Sequence, residues 1–114
     1  MILSKEAILK ADDLPKKTVF IKEWKGDVIV RSMTGAERDA WEMETYGSGK
    51  VNMDNARARL VALTAIDEKG ERLFTSEEAG LLGKKSAKAL AKVFEAAQKL
   101  NGLGVGDVEE LAGE

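Results

Sequence analysis

The chain has 114 residues, 44% of them hydrophobic and 33% charged, which suits one folded domain rather than two, or a disordered segment. Net charge is −2 and the pI is near 5.3, so no basic field draws in nucleic acid, and 5% aromatic content is thin for a base-stacking platform. Cysteine and histidine are both absent, which excludes thiolate nucleophiles, disulfides, imidazole bases and nearly every zinc or iron site.

The first residues place acids where a signal peptide needs a continuous apolar core, and no apolar run approaches the roughly 18–20 residues of a membrane span. The expected location is the cytoplasm. Ser4 is placed to cap a short helix that ends near Asp12 or Asp13, because Pro15 disfavours helix just before it. The period then changes. Thr18–Trp24 and Asp27–Met33 are rich in β-branched and aromatic residues around Lys25-Gly26, which predicts a β-hairpin with a two-residue loop. That loop would pair Ile21 with Val30 and Glu23 with Val28, putting Val19, Ile21, Val28 and Val30 on one face and Phe20 and Trp24 on the other.

Thr34-Gly35-Ala36-Glu37 reads as a capping box opening a helix to about Tyr46. Trp41, with Ala36, Ala40 and Met43 around it at helical spacing, is expected in the core. Asp54 is placed to cap the next helix, which runs through Ile66. Its second half, Leu60–Ile66, is apolar except for Thr64, so this helix should be the centre of the core. A turn at Gly70 follows. Thr75-Ser76-Glu77-Glu78 is a second capping box, opening a short helix that Gly83 ends. The last helix, about Lys84 to Asn101, gathers Leu90, Val93, Phe94, Ala97 and Leu100 on one face. Lys84, Lys85, Lys88, Lys92 and Lys99 lie on the other, with Glu95 among them.

The expected fold is α+β, mainly α: one N-terminal hairpin packed on a small bundle of about four to five helices. A single globular domain would span residues 1–102, and residues 103–114, glycine-rooted and acidic, would form a flexible tail.

Gly47-Ser48-Gly49-Lys50 fails as a phosphate loop, because Glu44 stands where the first glycine belongs and Val51 where Ser or Thr belongs. Gly102-Leu103-Gly104-Val105-Gly106 has the wrong spacing for a dinucleotide fingerprint, and Asp67–Glu71 lacks the alternating ligands of a calcium loop. The paired carboxylates Asp12/Asp13, Glu77/Glu78 and Glu109/Glu110 fall in solvated caps or tails, not in a buried site. No catalytic residue, cofactor or metal is expected, and the chain reads as a non-enzyme. Candidate protein-binding residues are Phe20 and Trp24 on the hairpin, joined by Val108 and Leu111 from the tail.

Three segments in order carry a resemblance: TGAERDAWE at 34–42, RARLVALTAIDEKGERLF at 57–74 and KSAKALAKVFEAAQKLNGL at 85–103. The chain is similar over nearly its whole length to the tail assembly chaperones of long-tailed bacteriophages. That resemblance implies a protein that binds and solubilises the tape measure protein while the tail is built and self-associates. It would act in the host cytoplasm and be absent from the mature virion. It also implies a longer frameshifted form that recruits tail tube subunits, this chain matching the short form. A different class stands beside it: a small phage or bacterial adaptor whose lysine stripe binds nucleic acid or another protein, with steep salt dependence.

Overall fold

The computed structural model describes residues 1–103. In chain order it has α1 (Lys5–Lys10), β1 (Lys16–Ile21), β2 (Gly26–Arg31), α2 (Gly35–Tyr46), α3 (Ala56–Thr64), β3 (Ala65–Ile66), α4 (Ala79–Leu82) and α5 (Ala87–Leu100). The architecture is α+β and mainly α, as the sequence predicts, with three antiparallel strands in the order β1-β2-β3.

Local signals place the helices. Ser4 Oγ accepts the Ala7 amide at 3.1 Å. Both capping boxes form, at Thr34/Glu37 and at Thr75/Glu78. Ser86 caps α5 through the Ala89 amide, so the helix starts later than Lys84. The cap of α3 is Asn55 rather than Asp54. It has φ +50, a left-handed conformation that asparagine tolerates better than most residues.

The hairpin keeps its faces and changes its register. Val19 pairs with Val28 and Lys17 with Val30, because the turn takes four residues, Lys22–Lys25, and includes a short 3-10 segment. The slip relative to the two-residue loop is an even number of positions, so Val19, Ile21, Val28 and Val30 still share one side. Ile21 and Val30 are fully buried there. The longer turn also moves Trp24. Strand alternation would leave it on the outer face with Phe20, whereas the turn packs its indole against the core. Burying a large aromatic stabilises by about 2 kcal/mol, which favours the longer turn.

Helix α3 is buried nearly all round: every residue of it except Arg57 is buried, Arg59 and Thr64 included. It lies between α2, α4 and α5, while α5 also packs across β1 and β2. The apolar run does not stay helical to Ile66. At Ala65 the backbone turns extended, and Ala65–Ile66 pair with Val30 and Ile29 to add a third strand to the hairpin. The face of α5 expected to be apolar buries Leu90, Val93 and Ala97, with Phe94 and Leu100 half-buried. Trp41 is in the core, edge-on to Tyr46 at 5.9 Å. Leu103, which the sequence assigns to the tail, is buried in the same cluster as Trp41, Leu60 and Ala97, so the packed body includes it.

Candidate protein-interaction surface

The four candidate binding residues divide three ways. Phe20 stands on β1 opposite Asp27 and is 63% exposed. Trp24 is half-buried on the core at the hairpin turn. Val108 and Leu111 lie outside the described residues. Of the two that are described, Phe20 alone is mostly in solvent.

What surrounds Phe20 is an edge. β1 is an outer strand of the sheet, and the exposed Lys16 and Lys17 within it and Lys22 just after it discourage indiscriminate strand pairing. Glu23, in the turn, lies 3.4 Å from Lys92 on α5. Its carboxyl is held below the ordinary range, first by a hydrogen bond to its own backbone and then by Lys92. That contact also takes one cation out of the lysine stripe, whose members are otherwise exposed.

Sequence reasoning missed the second apolar surface. Helix α1 has six residues and buries none of them, while Ile8 is 55% and Leu9 77% exposed. Met1, Ile2 and Leu3 before it are exposed as well. An isolated helix shorter than about 12 residues is marginal in water, so the amphipathic MILSKEAILK pattern was a readable sign that something should cover it.

Polar pins hold the frame behind these surfaces. Arg31 donates both guanidinium arms to Glu37 at 2.8 and 3.0 Å. The Arg31 hydrogen bonds, helped by the Thr34 amide, hold the Glu37 carboxyl below the usual carboxylate range, and Glu37 raises Arg31. Arg59 is buried beneath the loop between α2 and α3. It donates to the Thr45 hydroxyl (2.9 Å), the Asn52 carbonyl (2.6 Å) and the Asp54 carbonyl (3.0 Å). The Gly47–Lys50 stretch belongs to that loop, where the Ser48 hydroxyl donates to the Lys50 carbonyl. Among the described residues, no three His, Cys, Asp or Glu side chains are grouped to hold a metal ion, and no helix is long and apolar enough to cross a membrane. What the arrangement offers is apolar contact area on a pinned scaffold.

No protein-family model matches this chain, and no curated protein matches it in sequence. Among solved structures it is similar to the bacteriophage HK97 tail assembly chaperone, with a TM-score of 0.61 and 19% identity over 83% of this chain and 94% of that one. The chain shares its fold with a bacteriophage tail assembly chaperone.

Proposed function

We propose that this protein is a non-enzymatic tail assembly chaperone, which binds and solubilises the tape measure protein in the host cytoplasm and is left out of the finished virion. The observation that carries this reading is the fold likeness spanning 94% of the HK97 chaperone, on a chain whose segments resemble that family independently. The physical requirements agree. A coat for an aggregation-prone helix needs accessible apolar side chains, and Leu9 and Phe20 supply them on two elements. The partner would contribute an amphipathic helix with anchors at i, i+3, i+4 and i+7. Self-association belongs to the same proposal, since α1 and the β1 edge both leave groups that a second copy can cover. A longer frameshifted form would bring in tail tube subunits.

Co-expression with the tape measure protein from the same genome is the test. The expected result is that the tape measure protein becomes soluble and co-purifies, with only weak loss at raised salt. A tape measure protein that stays insoluble and never co-purifies rejects the reading. Co-purification of nucleic acid, lost steeply with salt, would favour the lysine-stripe adaptor instead.

A further inference from the structure

Helices α3 and α5 leave a groove of about 860 Å3 between them. Met53, Ala91 and Phe94 give it apolar walls, and Arg57, Lys85, Lys88 and Lys99 set their cations around it against the single acid Glu95. The Arg57 guanidinium stands 5.7 Å from the centre of the Phe94 ring, which holds that charge over the groove. An occupant suited to it brings apolar side chains and carboxylates together.

Helix α2 presents that combination on the side its own chain leaves uncovered. Its inner face buries Trp41 and Thr45. At about 100° per residue, Ala36, Ala40 and Met43 form a stripe on the opposite side, and all three are exposed, Met43 by 70%. Their spacing of i, i+4 and i+7 is the anchor pattern of a helix lying in a groove. Asp39 and Glu42 flank the stripe on one side and Glu44 on the other, all of them exposed. The one base of α2, Arg38, is held away from the stripe. It is half-buried, donating to the Glu42 carboxylate at 2.8 Å and to the Asn101 carbonyl at 2.9 Å.

We infer that the groove between α3 and α5 of one copy receives the outer face of α2 from a second copy. Ala36, Ala40 and Met43 seat against Ala91 and Phe94, while Asp39, Glu42 and Glu44 face Arg57, Lys85, Lys88 and Lys99. The lengths match: the 12 residues of α2 span about 18 Å and the 14 of α5 about 21 Å. Small side chains at Ala36, Ala40 and Ala91 let the two helix axes approach to about 8 Å, the close end of helix packing. The exposed stripe faces away from its own body, so the contact forms between copies and runs one way, from the helix of one to the groove of the next. This inference rests on the self-association included in the proposed function and gives it a specific contact, separate from α1 and the β1 edge.

Two charge-reversal variants test it by sedimentation over a range of concentrations, without the tape measure protein. Lys85→Glu/Lys88→Glu alters only the groove, and Asp39→Lys/Met43→Lys alters only the outer face of α2. All four positions are exposed, so amide spectra should show both variants folded. Each alone should associate several-fold more weakly than the parent. An equimolar mixture should regain association, because the acidic helix of the first meets the cationic groove of the second. A variant that associates as the parent does, or a mixture no stronger than its components, overturns the contact while leaving self-association through other surfaces. A parent that stays monomeric at every concentration removes self-association and this contact together. Loss in the groove variant alone, with nucleic acid bound to the parent, overturns it in favour of a polyanion as the occupant.

Discussion

Asn101 Oδ1 accepts the Met33 amide proton at 2.6 Å, joining the C-terminus of α5 to the junction between β2 and α2. The same residue donates through Nδ2 to the Ala97 carbonyl at 2.7 Å, and its own carbonyl accepts from Arg38 at 2.9 Å. One side chain thus ends a helix and ties it to a distant part of the fold. Asn101→Ala leaves the half-buried Met33 amide without its partner and should cost about 1–3 kcal/mol. Melting temperature should fall, and hydrogen exchange at Met33 should accelerate. Unchanged exchange there would show that this amide finds another acceptor.

Arg59 should matter as much. Arg59→Met keeps the apolar stem and removes three hydrogen bonds from the loop between α2 and α3, at a cost on the order of 3 kcal/mol. Trypsin cleavage at Lys50 should become markedly faster. Arg59→Lys should recover little, because one ammonium cannot reproduce the planar fork. Equal cleavage rates in all three proteins would reject the pinning role.

The Arg31–Glu37 pair predicts a specific pH dependence. Because the folded Glu37 carboxyl lies below its ordinary value of 4.5, the pair stabilises fully above that value and is lost as pH falls through the folded one. Arg31, raised by the pair, stays charged throughout. Glu37→Gln should therefore be less stable than the parent at pH 7, by about 1–2 kcal/mol, and the gap should close toward pH 3. Urea midpoints at the two pH values measure it. A gap of the same size at both would mean the loss is packing rather than charge.

Phe20→Asp separates folding from association. The side chain is mostly in solvent, so stability should change by no more than about 0.5 kcal/mol. Concentration-dependent sedimentation and capture of the tape measure protein should both weaken. A variant that self-associates and captures as the parent does would move the contact surface off the hairpin.

Much of the frame was legible in the sequence because it rests on short-range chemistry. Thr34 and Glu37 are three residues apart, as are Thr75 and Glu78, so each capping box closes with no help from the rest of the chain. The apolar run through Leu60 and Leu63 marked a central helix, and the face from Leu90 to Leu100 followed from helical spacing. Hairpin faces were legible for a similar reason: alternation has period two, and an even slip preserves it. The register itself was decided in three dimensions, where a longer turn let Trp24 leave the outer face for the core. The same held for Ala65–Ile66, whose apolar side chains suit a helix as well as a strand until β2 offers an unpaired edge. Arg59 and Asn101 look ordinary in the sequence, because a buried guanidinium or amide is defined by partners that only folding delivers. Which apolar surface stays open at Phe20 and Leu9 was settled the same way. A strand or helix pattern says that a face is apolar, but only packing says whether this chain has anything left to cover it.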